Sequence, residues 1–408
     1  MSDIKGDVLA ELNKMMFTYP TTQEEAEKWT SLFFINEPVT KVVDYIGGQR
    51  VPYNVGFQRM INKNLKSGVD VDAPRPYEWK SFDVNNDDDM NNIVEFMNKQ
   101  YRHDGKYNII FTREYIRWLL LCGKSSYAFG IVSNGKIGGI LLGAICNMQL
   151  FYETRDTLNV YYICVHSKLR NKKVGIAMMK KAKNDMLKND VQVGFYGTKV
   201  YSSKPVYRAT YYYRPINYKK LVDCEFIMYP ELSDMDNLIY EHQVRYTPHE
   251  TVPLSEDNVD RVYDLYVRYR RKYNISDNLS IDEFKKMYMN SNFVHSYVIV
   301  KNNVPIDFFS MYYYECTKNE NTVKCAKLHT YTSVNATPFG IYKTFAVIAK
   351  DNNVDMLVLL GIMENEKLVC DGISKLSESL NYGHYIFYNW ECRELLSEQI
   401  YKDIPLLQ

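Results

Sequence analysis

Four cations crowd into six positions where an apolar run gives way to a helical pattern. The segment "YYICVHSKLRNKKVGIAMMKK", residues 161–181, places Lys168, Arg170, Lys172 and Lys173 immediately before Val174. The first backbone N–H groups of a helix have no partners within it, and the aligned peptide dipoles leave partial positive charge there. A strand that ends in a basic loop and continues as a helix therefore offers an anion both amide donors and cationic side chains. The spacing Arg170-x-x-Lys173-x-Gly175 adds a residue without a side chain, which lets a phosphate approach the main chain closely. A solvated basic helix start with no ligand gives the same pattern, so the loop alone defines an anion-binding geometry and not a reaction.

Global charge points nowhere else. The 408 residues carry 50 Lys and Arg against 49 Asp and Glu, a formal net charge of +1, which indicates neither nucleic acid nor an anionic membrane as partner. Hydrophobic residues make up 46%, a globular composition, and the length suits two domains or one large one. The eight cysteines form no C-x-x-C pair and most lie in apolar runs, which reads as buried free thiols in a reducing compartment. The histidines show no metal spacing, so no metal is expected. The opening "MSDIKGDVLAELNKMM" lacks the apolar core of a signal peptide, and no stretch approaches the length of a membrane span. A cytoplasmic, monomeric protein is expected.

The elements that must hold the loop follow from periodicity. Residues 3–16 and 21–30 read as helices, followed by an extended "NEPVTKV" and an aperiodic stretch over 50–75. From about residue 80 the pattern is α/β. "DDDMNNIVEFMNKQYR" reads as a helix with Ile93, Phe96 and Met97 inward, and "TREYIRWLLLC" as another. A hairpin turning at Ser133-Asn134-Gly135, the strand "DTLNVYYICVH", the basic loop, a helix over 174–188 and the strand "VGFYGTKVY" follow. Residues 229–252 read as a linker. The order then repeats: helices capped near Ser255 and Ser280, a hairpin turning at Asn302-Asn303, a strand, a helix and the buried strand "DMLVLLGI". Two consecutive units of this order predict a duplicated α/β fold.

Loops of the form Arg/Gln-x-x-Gly-x-Gly/Ala surround the CoA pyrophosphate in transferases of the GNAT superfamily, and Arg170 to Gly175 resembles them. A longer match is more specific. "NVYYICVHSKLRNKKVG" resembles the signature EINFLCVHKKLRSKRLAP of glycylpeptide N-tetradecanoyltransferases, the N-myristoyltransferases. "KPVYRATYYYRPIN", "IMENEKLV", "YIFYNWEC", "INEPVTKV" and the closing "IPLLQ" resemble further segments of that family, in the right order from about residue 25 to Gln408. The resemblance implies an α/β fold of two tandem GNAT-like acyl-CoA N-acyltransferase halves, sharing one saddle-shaped mixed sheet flanked by helices. It also implies an N-terminal extension over 1–75 that wraps the acyl-CoA, a donor-binding half over 76–230, and a peptide-binding half over 231–408. The implied reaction transfers myristate from myristoyl-CoA to the amine of an N-terminal glycine. Myristoyl-CoA is then a donor substrate and no prosthetic group is expected. The implied partners are proteins with N-terminal glycine, with room for transient association with membranes or ribosomes.

Attack of an amine on a thioester needs an oxyanion hole and a base. The resemblance places the hole on the backbone N–H groups of Tyr162 and Ile163, and the base on the terminal carboxylate of Gln408. A terminal carboxylate titrates near 3.5 and an α-amine near 8, so unassisted transfer costs about 6 kcal/mol. Burial must narrow that gap. The implied CoA contacts are Arg170, Asn171, Lys172, Lys173, Val174, Gly175 and Ile176, with Tyr162 and Ile163, Tyr101 beside the CoA, and Phe33 and Phe34 near the nucleotide end. The implied peptide contacts are Tyr196, Thr198, Tyr211, Tyr213 and His329. Tyr213 stands where the family has His, and His329 where it has Ser.

Other departures matter. The family's Lys-Phe-Gly-x-x-Asp-Gly appears as "KLSESLN", residues 375–381, and its acidic loop after Tyr101 as "RHDG". Asn159 and Tyr161 replace Glu and Asn of the first signature. An active enzyme with altered peptide preference fits these changes. So do a catalytically inactive acyl-CoA- or peptide-binding protein on the same fold, and a GNAT enzyme with another donor or acceptor.

Overall fold

Alternation of apolar side chains builds one long sheet. The computed structural model describes residues 41–42, 45–46, 49–50, 58–68, 70–101, 107–199, 205–227, 234–241, 243–290, 292–370 and 377–405. In the first half, β1 (Glu78–Ser81) precedes helices α1 (Asp87–Gln100) and α2 (Arg113–Leu121). The hairpin β2 (Ser125–Ser133) and β3 (Lys136–Leu150) follows, then β4 (Glu153–Val165), α3 (Val174–Lys188), β5 (Val193–Thr198) and β6 (Tyr207–Pro215). The second half repeats the order: β7 (Glu250–Pro253), α4 (Val259–Arg270), α5 (Ile281–Tyr288), β8 (Val294–Lys301), β9 (Val304–Lys318), β10 (Asn321–Tyr331), α6 (Pro338–Asp351), β11 (Met356–Leu360) and β12 (Ser377–Tyr388).

These strands lie in the sheet order β7-β8-β9-β10-β11-β6-β12-β5-β4-β3-β2-β1. Read from its two ends the order is mirrored, and at the centre the halves exchange their last strands. β6 pairs with β11, β12 pairs with β5, and β6 and β12 pair with each other. The expected duplicated mixed sheet is therefore present, closed by a strand swap that the sequence pattern does not reveal.

Both hairpins turn where expected. Asn134 and Gly135 have φ of 50° and 72°, and Asn302 and Asn303 have 53° and 62°, the left-handed backbone that two-residue hairpin turns require. Period-2 alternation sends Ile140, Leu142 and Ala144 to the face covered by α1 and α2, while Leu141 joins Phe129, Ile131 and Leu158 under α3. α3 meets them with Val174, Met178, Ala182 and Met186, each fourth residue of one face. Burying a side chain of this kind contributes about 1.5–3 kcal/mol. Ile93, Phe96 and Met97 are buried on α1, which Asn86 caps through its side chain. Cys122, Cys146, Cys164, Cys224, Cys316, Cys325 and Cys392 are buried free thiols, as expected.

Two expectations change. Helix α4 begins three residues after Ser255: Asn258 is its N-cap, and the Ser255 carbonyl only receives the Asn258 and Val259 N–H groups in the preceding turn. α5 does start at Ser280, with a complete capping box to Glu283. The expected linker over 229–252 contains a short helix, Met235–Glu241, and runs into β7, which pairs antiparallel with β8. The expected helices over 3–16 and 21–30, Phe33, Phe34, the loop "RHDG" and Gln408 lie outside the described residues, as do Lys375 and Leu376 of "KLSESLN".

Candidate active site

The basic loop sits where two neighbouring strands part. β4 and β5 pair in parallel from Thr157–Val193 to Val160–Tyr196, yet β4 continues to Val165 and β5 to Thr198. At that point β4 carries a one-residue bulge against β3: Leu142 pairs with Tyr162 and Gly143 with Val160, leaving Tyr161 as the extra residue. The bulge breaks the alternation, so Tyr161 and Tyr162 both join the core on the α1–α2 side. The Tyr162 ring packs edge-on against Tyr101 and Phe111, each at 5.3 Å, and its hydroxyl lies 2.6 Å from the Tyr115 hydroxyl. The implied oxyanion strand and the implied CoA-side tyrosine, Tyr101, are thus brought together.

Beyond β4, Asn171 and Lys173 take left-handed φ of 66° and 61°, turning the loop tightly into α3. Lys173 is the N-cap residue and makes no side-chain cap, and α3 has no acid in its first turn. Asn171, Lys172 and Lys173 are exposed. A Cβ added at Gly175 would meet nothing within 4 Å, so the glycine is not required by packing. Arg170 has partners of its own within the fold: its guanidinium donates to the carbonyls of Gln100 at 2.5 Å and Val165 at 3.3 Å. It ties the loop to the end of α1, while Lys172 and Lys173 remain exposed beside the helix start.

The second half answers why only one loop suits an anion. His166 N–H donates to Gly138 O, and Thr332 N–H donates to Phe308 O, both at 2.9 Å, so the loops after β4 and β10 correspond. In the second loop the buried Asp307 carboxylate receives the N–H groups of Val334, Asn335 and Ala336, each at 2.7 Å, and the Thr332 hydroxyl at 2.9 Å. A side chain of the protein fills that amide nest. The corresponding position before Gly138 is Ile137, which has no carboxylate; in the first loop Ser167 N–H donates to Gln100 Oε1 at 2.9 Å and Lys168 N–H to His166 Nδ1 at 3.2 Å, while the N–H groups at the start of α3 receive no side-chain cap.

A pocket opens beside the bulge and is lined from both halves. Tyr115, Trp118, Leu119 and Cys122 of the α2 segment, at helical spacing, form one wall with Tyr161; Tyr312, His329 and the final segment Lys402–Pro405 form the other, with Asp277. His329 is the bulge residue of β10, between Leu328, which pairs with Met311, and Thr330, which pairs with Ser310. The final segment is held by charge. Lys327 Nζ lies 2.8 Å from Asp403 Oδ1 and 2.9 Å from the Ile404 carbonyl, His329 Nδ1 lies 2.9 Å from Asp403 Oδ2, and Lys402 Nζ lies 2.7 Å from Asp277 Oδ1. Burial alone would push the Asp403 carboxyl up, but Lys327 and His329 hold it below the ordinary carboxylate range. Burial opposes the charge of Lys402, and Asp277 restores it, leaving its pKa raised. The segment also crosses to the first half: a Cβ at Gly197 would stand 2.9 Å from Ile404 side-chain atoms.

Among the implied peptide contacts, Tyr196 and Thr198 flank that Gly197 contact on β5, and Tyr211 and Tyr213 stack on β6 with ring centroids 6.5 Å apart. His329 is the one that lines the pocket. Sequence reasoning missed Lys327, Asp403, Asp277 and Lys402. Their one sequence signal is a lysine in register with apolar residues of a strand, and charges set among apolar residues in "YKDIPLL". Among the described residues no group of three His, Cys, Asp or Glu is placed to hold a metal ion, and no helix is long and apolar enough to cross a membrane.

Comparison with known proteins gives the lineage. The family model for the N-terminal domain of myristoyl-CoA:protein N-myristoyltransferase matches residues 61–209, and the model for its C-terminal domain matches residues 223–403. The chain belongs to the N-myristoyltransferase family. The glycylpeptide N-tetradecanoyltransferase of Kluyveromyces lactis is 24% identical over 333 residues, covering 76% of this chain and 71% of the relative. The probable glycylpeptide N-tetradecanoyltransferase of Caenorhabditis elegans is 20% identical over 401 residues, covering 94% and 87%. A crystal structure of Saccharomyces cerevisiae N-myristoyltransferase with bound myristoyl-CoA superposes with a TM-score of 0.78 at 19% identity, covering 90% of this chain and 94% of that one. At that identity the superposition establishes the shared fold.

Proposed function

We propose that this protein transfers the myristoyl group of myristoyl-CoA to the N-terminal glycine amine of protein substrates. The observation that carries the proposal is the amide nest at the start of α3. It has no side-chain cap and no acid in its first turn, is basic at its rim and open at Gly175, and follows the bulged strand that lines the pocket, whereas in the other half Asp307 fills the loop before α6 and Thr337 caps that helix. Donor loading is thereby confined to the first half.

In this proposal Lys172, Lys173 and the N–H groups of Val174, Gly175 and Ile176 hold the CoA phosphates, with Asn171 shaping the loop and Arg170 bracing it. Phe33, Phe34 and Tyr101 complete the donor site. The N–H groups of Tyr162 and Ile163 stabilise the thioester oxyanion, an interaction of the kind that contributes about 2.7–4 kcal/mol. Tyr196, Thr198, Tyr211, Tyr213 and His329 face the peptide, and the carboxylate of Gln408 accepts a proton. The division into an extension over 1–75, a donor half over 76–230 and a peptide half over 231–408 belongs to the same proposal. So do a cytoplasmic location, a monomeric state and protein lipidation as the outcome.

The test is equilibrium binding of a non-hydrolysable myristoyl-CoA thioether. Tight, salt-sensitive binding that a Lys172→Glu/Lys173→Glu variant loses supports the donor site. Binding unchanged in that variant overturns it. Removing Leu407 and Gln408 should cut turnover far more than donor affinity, and unchanged turnover would take the Gln408 carboxylate out of the reaction.

A further inference from the structure

His329 and Asp403 make an arrangement that neither the anion loop nor the oxyanion strand explains. The His329 ring packs against Trp118, Tyr288 and Tyr312 at centroid separations of 5.3, 5.8 and 5.9 Å. Its Nδ1 meets Asp403 Oδ2 at 2.9 Å, and Asp403 Oδ1 also takes Lys327 Nζ at 2.8 Å and the Ile404 N–H at 2.9 Å. Lys327 is fully buried and is itself bound to the Ile404 carbonyl, so donors on both oxygens fix the carboxylate. An ionised carboxylate only accepts. The neutral ring therefore carries its hydrogen on Nδ1 and keeps its lone pair on Nε2, on a side chain that lines the pocket with Tyr161 of the bulged strand.

We infer that His329 is the first proton acceptor of the transfer, taking a proton from the glycine ammonium at Nε2 while Asp403 orients the ring and stabilises the imidazolium. This rests on the acyl-transfer reading above. An ammonium nitrogen starts with three N–H bonds and the product amide has one, so two protons must leave. One N–H bond breaks and its proton passes to His329 Nε2. The freed lone pair forms the C–N bond to the thioester carbonyl, the C–S bond breaks, and sulfur leaves with the second proton as the CoA thiol. The imidazolium returns its proton to water. A neutral imidazole is a stronger base than an ionised terminal carboxylate. The Gln408 carboxylate is then left to guide the second proton to sulfur.

The surroundings isolate this ionisation. Lys402 and Asp277 are paired with each other, and Lys327 stands behind Asp403. Burial pushes up the phenols of Tyr161, Tyr288 and Tyr312 and the Cys122 thiol; the remaining pocket phenol, Tyr115, is bonded to Tyr162.

The experiment compares wild type, His329→Gln and Asp403→Asn across pH 5.5–9.5 with a Gly-starting peptide, and measures thioether-donor binding in each. Wild type should lose kcat/KM with one proton on the acid side. His329→Gln should drop kcat about 100-fold or more at pH 7, change peptide KM and donor affinity less than about threefold, lose the acid limb, and recover at pH 9 or with added imidazole. Asp403→Asn should move the limb to lower pH, because the imidazolium has lost its counter-charge. An unchanged acid limb, or kcat within threefold in His329→Gln, overturns the assignment. Nitrogen NMR of the histidine-labelled wild type decides the case if the variants do not fold, or if wild type transfers nothing and the acyl-transfer reading itself fails. Nδ1 protonated throughout with Nε2 titrating supports the dyad, and a bare Nδ1 above the titration overturns it.

Discussion

Replacing Lys327 by Met isolates the charge that anchors the final segment. The Lys327 side chain is 0% exposed and Asp403 is 6% exposed, so the variant leaves a carboxylate buried with only the His329 ring and an amide N–H as partners. Removing one partner of a buried ion pair costs about 3–5 kcal/mol. With an unfolding entropy of about 2.1 cal/mol/K per residue over 408 residues, roughly 0.9 kcal/mol/K, the melting temperature should fall by about 4–6 °C. The sign with pH follows from Asp403. In wild type its carboxyl is held below the ordinary value, so its stabilisation is full above the unfolded value of about 3.9 and is lost as pH falls through the lower, folded value. In Lys327→Met the folded value rises, and the deficit at neutral pH should shrink on acidification. Thermal melts from pH 4 to 8 measure both. Lys327→Met/Asp403→Leu should regain most of the loss, since an apolar pair carries no desolvation penalty. A single variant melting within about 1 °C of wild type, or a deficit that grows toward acid, would refute the reasoning.

Further outcomes follow from the same contacts. Asp307→Ala should cost about 3 kcal/mol or more in urea unfolding, because three amides and a hydroxyl lose a charged acceptor, and added phosphate should recover part of it. Gly175→Trp should leave the melting temperature within about 2 °C, since nothing stands within 4 Å of that Cβ position, while weakening thioether-donor binding at least tenfold by calorimetry. Glu364 receives Tyr269 and Tyr273 hydroxyls at 2.7 and 2.9 Å and Lys272 at 2.5 Å. Burial would raise its pKa, yet these partners leave it lowered, so its contribution is full above about pH 4.3 and lost below. Glu364→Gln should therefore cost about 1.5–3 kcal/mol at pH 7, and the difference should close as pH falls through 4.

Local signals carried most of the elements. Turn residues with left-handed preference marked both hairpins, Ser280 and the run Asp87-Asp88-Asp89 marked helix starts, and the four-residue spacing of Val174, Met178, Ala182 and Met186 marked the inward face of α3. The strand exchange at the sheet centre was not legible, because β6 and β12 have the same alternation whichever neighbour they take. The Asp307 nest was hidden for a related reason: Asp307 reads as a hairpin polar residue, and only the fold brings it under the backbone of 332–336. Arg170 was legible as a cation but not as a brace, since its partners Gln100 and Val165 belong to other elements. The Lys327–Asp403–His329 cluster joins residues 74 to 76 positions apart, a separation over which sequence spacing carries no geometric information.

The most direct test is transfer of labelled myristate from its CoA thioester to a Gly-starting octapeptide, with an Ala-starting octapeptide as control. Label on the glycine peptide alone, released with one equivalent of free CoA thiol, is the predicted result. No label on either peptide, from protein that still binds the thioether donor tightly, would contradict the account and leave a donor-binding protein on an N-myristoyltransferase fold.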